Sequence, residues 1–384
     1  QTGVTIDNCQ HVLMGCCDAA IDFLSKLGSL GQVEFSDTLR IVGKGGKAFR
    51  ICGSALPAPL HLAPSILRTS YLTGRDKLGL ARVAAGLIRR KPEKNASAAD
   101  YLKSISCSSD LLDRLVGPIL VSALNEEPDA ASAVYARMVL SKMLLESRDG
   151  YRLGVPQSPL SELIAGPALR YLAKRQCRLR LSTRVEKINQ SAGMVESISL
   201  AGGEKLKRDA YVCALPPWSL GRIGIKSPGW AELGWHAIIG AHLFFENVEP
   251  GFDRACVIGE PFQWVFNKST DWRLRSGCIQ AVASAADGIA RLPKSELVGL
   301  ALQSAEKAVG RRLGPALKRA RVYRESRATF STAGNIDEIR PPSATAWPNL
   351  FLAGDWTDTR WPATIESAVR SGRAAARAVL EVRS

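Results

Sequence analysis

The chain has 384 residues, 46% of them hydrophobic and 23% charged, which suits a globular protein long enough for two domains. No apolar run reaches the roughly 18 residues that span a membrane. A formal charge of +15 and a pI near 9.6 call for an anionic partner. Without a nucleic-acid-binding motif or aromatic-basic interleaving, an anionic membrane surface fits better than nucleic acid.

In chain order, Val4 and Ile6 alternate like a strand, and Ile21, Leu24 and Leu27 mark one face of a helix from about Asp18 to Leu27. Arg40 to Cys52 reads as a hairpin turning at Gly43-Lys44-Gly45-Gly46. The GKGGK run is not GxxxxGK[ST] and no helix pattern follows, so it is no phosphate loop. Asp76 to Lys91 places Leu80, Val83, Ala84, Leu87 and Ile88 at helical spacing among five basic residues. This fits an interfacial helix and equally a surface helix packed on its own domain. Leu111 to Leu124 and Val134 to Leu145 are apolar helices, either plain core or the walls of a long apolar tunnel.

From Cys177 the period changes. Leu179, Leu181 and Val185 alternate, then Ile198 and Leu200, with Gly202-Gly203 as a turn; Ala210 to Leu215 is a further apolar run ending at Pro216-Pro217-Trp218. Trp235 to Phe245, Gln263 to Asn267 and Cys278 to Ala285 read as strands, and Ser295 as the cap of a helix from Glu296 to about Gly310. Nine cysteines, without a CxxC pair or histidines at metal spacing, imply no metal and mostly reduced core thiols. There is no signal-peptide pattern and no internal repeat, so a cytoplasmic protein is expected, peripheral at the inner face of the membrane.

The most informative stretch comes last. Leu350 to Ala353 is a short apolar run of the kind a strand buried on both faces needs. Gly354 permits close backbone approach, and Asp355 at the strand end can accept hydrogen bonds from sugar-type hydroxyls. Pro362 suits the first turn of a helix, whose N-terminus would face an electron-rich ligand atom. Ser367, Ala368, Ser371, Gly372, Ala375 and Ala376 would keep one face of it small.

LAGDWTDT at 352–359 with PATIE at 362–366 and AVRSG at 368–372 resembles the C-terminal flavin segment of the FAD-dependent amine oxidase and phytoene desaturase superfamily. It is most similar to the hydroxysqualene dehydroxylases of bacterial hopanoid synthesis. Other segments are similar in family order: IDNCQHVLMGC at 6–16 (the family has glycine where Cys9 stands), Pro57 to Leu62, Gly117 to Asn125, Thr183-Arg184-Val185, Gln263 to Phe266, and Glu325 to Phe330. Residues 331–339 depart from the family's proline-rich stretch.

The resemblance implies a two-domain α/β flavoprotein. A Rossmann-type FAD-binding domain would use 1–27, 155–221 and 340–384, and a mixed sheet-and-helix substrate domain 28–154 and 222–339. The family's GxGxxG is absent from the sequence, so the cofactor domain is expected to be N-terminally incomplete, with an upstream fragment as a possible complement alongside other hopanoid-pathway enzymes. FAD contacts are implied for Val185, Pro216, Trp218, Gly354, Asp355, Trp356, Ala363, Thr364 and Ile365, and substrate contacts for Gln10 and Trp264. The implied reaction is reductive removal of the hydroxyl of hydroxysqualene, a hydrophobic isoprenoid, with Asp7 or His11 as the acid; a structural role for His11 stays open. The alternatives are an oxidative phytoene-type desaturase on the same scaffold and a non-catalytic basic membrane-surface module.

Overall fold

A computed structural model of the chain describes residues 5–225, 229–271 and 277–383. The strands in chain order begin with β1 (Leu13–Met14), β2 (Val33–Ser36), β3 (Thr38–Val42), β4 (Ala48–Cys52) and β5 (Leu153–Pro156). They continue with β6 (Val185–Ser191), β7 (Met194–Leu200), β8 (Lys205–Leu206), β9 (Tyr211–Cys213), β10 (Trp235–Phe245) and β11 (Arg254–Val257). The last are β12 (Trp264–Asn267), β13 (Cys278–Ala283), β14 (Leu317–Phe330) and β15 (Leu350–Leu352). The chain divides into two compact units. The first comprises Gln1–Cys17, Gly28–Gly166 and Trp235–Gly334, and the second Asp18–Leu27, Pro167–Gly234 and Asn335–Ser384.

In the first unit a seven-stranded sheet runs β14-β10-β13-β12-β11-β3-β4, antiparallel except where β11 meets β3. Period-2 alternation along β10 sends Ala237, Ile239, Ala241, Leu243 and Phe245 to one face. There they pack on Leu297, Ala301, Ala305 and Ala308 of the helix Lys294–Val309. Each large apolar side chain buried this way contributes roughly 2 kcal/mol. That helix begins before Ser295: Pro293 holds the cap position, and the helix ends at Gly310 in the left-handed region, φ 81°. Among the described residues no side chain caps its first amides.

The other elements of this unit surround a three-stranded antiparallel sheet, β1-β5-β2. Register pairs Leu13 with Gly154 and Phe35 with Gly154. Residues 1–17 and 155–166, expected with the cofactor domain, fall in this unit. Val4 lies outside the described residues, and Ile6 is irregular backbone, so the first strand observed is β1. The helix Gly74–Arg89 opens with a reciprocal Thr73–Asp76 capping box. Val83 and Leu87 at the centre of its apolar stripe are buried, while Leu78 and Ile88 are exposed, so one face of the helix packs on its own unit and the other is open. The predicted helices at 111–124 and 134–145 form, each with a π-helical segment (Leu112–Val116 and Lys142–Glu146).

In the second unit β9 and β15 pair in parallel, and β6, β7 and β8 form an antiparallel meander that turns at Gly202 and Gly203, φ 94° and 89°. The predicted strand around Leu179 and Leu181 does not form. Both side chains are exposed, and without a buried face their alternation has nothing to pack against. The helices Asp18–Leu27 and Ile365–Arg383 also belong here. Pro362 lies three residues ahead of the second of these, not in its first turn. The helix's small face is narrower than expected: Ser367, Ser371 and Ala375, at i, i+4, i+8, are buried, whereas Ala368, Gly372 and Ala376 are exposed.

Candidate functional site

The other face of the seven-stranded sheet carries Ile238, Phe266, Trp264 and Val282, which cluster with Cys9, Met14, Leu39, Leu153 and Val155. Segment 7–11 lies on this face because β10 has a glycine there: a Cβ at Gly240 would sit 2.5 Å from the Asn8 carbonyl oxygen. Cys9, where a glycine was expected, is accommodated by this apolar cluster, and burial pushes its thiol up to about 12. The Trp264 indole stacks on Phe266 at 5.9 Å between centroids. Its Nε1 donates to Ser122 Oγ at 2.7 Å, on the helix Gly117–Leu124, so the ring is held from both sides.

Two polar groups flank this face. Both Asp7 carboxylate oxygens accept from the Leu160 amide at 3.2 Å, which satisfies an orphan donor at the start of the helical stretch 160–173. His11 is half-buried. Burial lowers its pKa and the Asp7 charge opposes that shift. The Gln10 side chain donates to the His11 carbonyl at 2.7 Å, so it serves the local backbone.

In the second unit the turn after β15 is built around one glycine and one arginine. Gly354 sits at φ +142°, and a Cβ there would meet the Trp356 Nε1 at 2.4 Å, so only glycine fits. The buried Arg340 guanidinium donates to the carbonyls of Asp355 at 2.9 Å and of Thr357, and to Thr359 Oγ1 at 3.0 Å. From the helix, Ser371 Oγ accepts from the Gly354 amide at 2.9 Å and Ser367 Oγ donates to the Asp355 carbonyl at 2.9 Å. Thr364 Oγ1 accepts from the Ser367 amide at 3.2 Å and caps the helix. The amides ahead of Ser367 have no intrahelical acceptor. Burial raises the Asp355 carboxyl, against the pull of Arg340, and among the described residues the buried Trp356 Nε1 has no hydrogen-bond partner.

A family model described as flavin containing amine oxidoreductase matches residues 1–380. The hydroxysqualene dehydroxylase of Rhodopseudomonas palustris is 30% identical over 99% of this chain and 88% of its own length. The chain belongs to the flavin-containing amine oxidoreductase family, in its hydroxysqualene dehydroxylase branch. The 15-cis-phytoene desaturase of Solanum lycopersicum is 20% identical over 97% of this chain and 68% of its own length. A crystal structure of an oxidoreductase from Methanosarcina mazei aligns with a TM-score of 0.69 at 14% identity, over 90% of this chain and 81% of that one. The fold is thus the α/β flavoprotein fold, and the chain is a flavin oxidoreductase.

The residues of this family member fit a flavin on the structure's own terms. The 354–365 turn offers a glycine-only backbone approach, a carboxyl held off its ordinary value, an unsatisfied indole donor and a helix N-terminus, all within one unit. Gly354, Asp355, Trp356, Ala363, Thr364 and Ile365 therefore come together. Val185 opens β6, Pro216 caps the short helix Pro217–Leu220, and Trp218 is on that helix, partly exposed; all three share the unit. Asp7, Gln10, His11 and Trp264 belong to the first unit.

Sequence reasoning missed two buried carboxylates. Glu366, fully buried, accepts from the Ala19 and Ala20 amides at 3.2 and 2.7 Å and from Arg370 Nε at 2.6 Å, so it caps the helix Asp18–Leu27 from 347 residues away. Glu126 accepts from His236 Nε2 at 3.1 Å, from Ser331 Oγ at 2.6 Å and from the Thr332 amide and hydroxyl at 2.7 and 2.6 Å. His236 Nδ1 meets Asp287 at 2.5 Å. Burial alone would raise the Glu126 carboxyl, but the bonds from His236, Ser331 and Thr332 outweigh it and hold it low. The hydrogen bond to Glu126, against burial and with help from Asp287, lifts His236 to about 9. The signal in the sequence was the Asn125-Glu126 pair ending an otherwise apolar helix.

Proposed function

We propose that the chain, with FAD as its cofactor, reductively dehydroxylates hydroxysqualene to squalene. The reading is carried by the similarity to a hydroxysqualene dehydroxylase along nearly the whole chain. It is supported by an apolar, aromatic sheet face with a histidine and a carboxylate beside it. The C–O bond breaks, a C–H bond forms, and the oxygen leaves as water. Reduced FAD, when bound, supplies the hydride.

The chain's own residues do the rest. His11 protonates the leaving hydroxyl, while Asp7, bonded to the Leu160 amide, tunes the imidazole by its charge. The faces of Trp264 and Phe266 stabilise the developing cation. Asp355 and the 363–365 turn hold the flavin. The exposed Leu78 and Ile88, near Arg82, Arg89 and Arg90, would rest on an anionic membrane from which so apolar a substrate is drawn. That contact would make the protein peripheral at the cytoplasmic face.

The test is product analysis with purified protein, FAD and a reductant, offered hydroxysqualene and, separately, phytoene. Squalene from the first is expected. Desaturated phytoene with hydroxysqualene untouched would overturn the reading in favour of oxidative desaturation, which the 20% similarity to a phytoene desaturase leaves second.

A further inference from the structure

In the first unit a cleft of about 1080 Å³ is lined, among the described residues, by Arg40, Arg50, Arg254 and Arg311 and by two carboxylates, Glu249 and Asp253. We propose that this cleft binds a polyvalent phosphate group, as a free diphosphate or phosphate or as the headgroup of an anionic lipid. The inference is independent of the proposed activity.

The argument begins with register. Arg40 on β3 stands directly opposite Arg50 on β4. Like charges directly opposite one another in a ladder are destabilising, and among the described residues neither is ion-paired, nor is the exposed Arg311. Arg254 differs: Glu34 neutralises it at 2.6 Å and the Leu153 carbonyl holds it at 3.2 Å, so it serves as wall. The repulsion is therefore left to Arg40, Arg50 and Arg311 and calls for an anion.

Arg40 is also pre-organised to receive one. Its guanidinium lies over the Phe252 ring at 5.4 Å, and one Nη donates weakly to the Ala308 carbonyl at 3.4 Å. Its Nε is buried without a partner. A planar guanidinium packed on an aromatic face at the cleft wall is held ready to turn its Nη edge to phosphate oxygens. Lysines, flexible and strongly hydrated, would read as general surface charge; a group of arginines with one packed in place reads as a site. Half of the remaining lining is polar, with Asn247 and Asn267 beside the Thr38 and Ser269 hydroxyls, which bond to Asp37 and to the Cys278 carbonyl, so an apolar ligand does not suit the cleft.

Titration calorimetry of the full chain with pyrophosphate and with inorganic phosphate tests the site, and vesicles of phosphatidylglycerol against phosphatidylcholine separate the sources. Saturable binding of pyrophosphate is expected. The Arg40→Gln/Arg50→Gln double variant should weaken it by about tenfold or more, the effect of losing a charge-assisted contact. Arg180→Gln, on an exposed pair with Glu204 in the other unit, should leave it unchanged. If the double variant folds poorly, Arg311→Gln, on an exposed position, should still weaken binding severalfold. Phosphatidylglycerol binding displaced by pyrophosphate would assign a lipid headgroup, and pyrophosphate binding without vesicle binding a free ligand; both support the site. No saturable binding of any probe, or binding untouched by the arginine variants, overturns it.

Discussion

Glu126 is a buried carboxylate and Asp355 a half-buried one, and their surroundings differ. Glu126 receives four hydrogen bonds and titrates below its ordinary value. Asp355 sits beside an unpartnered indole N–H and a glycine-only backbone, and its carboxyl is raised chiefly by burial. A buried carboxylate tied to side chains and backbone of other elements is a structural pin; a half-buried one held only by amides of its own turn leaves room for a ligand. Glu366 belongs with Glu126, since every donor around it ends on its two oxygens.

The strongest way to break this contrast is Glu366→Ala. It strands two helix-end amides and Arg370, and should cost about 3–5 kcal/mol, the range for removing one partner of a buried charged pair, read by urea unfolding. Gly354→Ala comes next. The strained φ and the clash with Trp356 should cost about 1–3 kcal/mol and lower flavin retention, read by absorption of the purified protein. A pH series sharpens the Glu126 side. His236 has a folded pKa raised to about 9, above its unfolded value. Its contribution to stability is therefore complete below about pH 6.5 and is lost as pH rises through about 9. The thermal midpoint should fall across that window, and Glu126→Gln should flatten the fall. If the slope persists in the variant, the assignment is wrong.

Asp355→Asn should have the smallest effect on stability, within about 0.5 kcal/mol, because the half-buried side chain keeps its shape. It should nevertheless reduce bound flavin. Equal losses of stability in Asp355→Asn and Glu126→Gln would erase the distinction between pin and site. On the first unit's face, His11→Asn should lower turnover of hydroxysqualene by about 10²-fold, the lower range of general-acid assistance, with little change in unfolding.

Much of the fold was legible because it is written locally. The 40–52 hairpin, the 111–124 and 134–145 helices and the strand-turn-helix after Asn349 each satisfy a period or a turn within a few residues. The failures were local too, but decided elsewhere. Leu179 and Leu181 alternate like a strand yet have no buried face. The helix Lys294–Val309 begins on Pro293 although Ser295 looked like its cap. In the turn at 354–365, the glycine and the carboxylate could be named from residue type alone, whereas the helix starts three residues after the proline that was expected in its first turn. The guanidinium of Arg340 that ties their carbonyls together could not, since no pattern links it to the turn.

The sequence by itself determined the apolar strands and helices, the glycine that the turn at 354 demands, and the family, since these rest on periodicity, on backbone conformation and on residue order. Only the tertiary structure decided which polar groups are spent and which are idle. Ala19 and Glu366 stand 347 residues apart, Asn125 and Thr329 stand 204, and Arg40 faces Arg50 only through ladder register. A hydrogen bond or a repulsion depends on a few ångströms of space, and that distance exists only once the chain has folded.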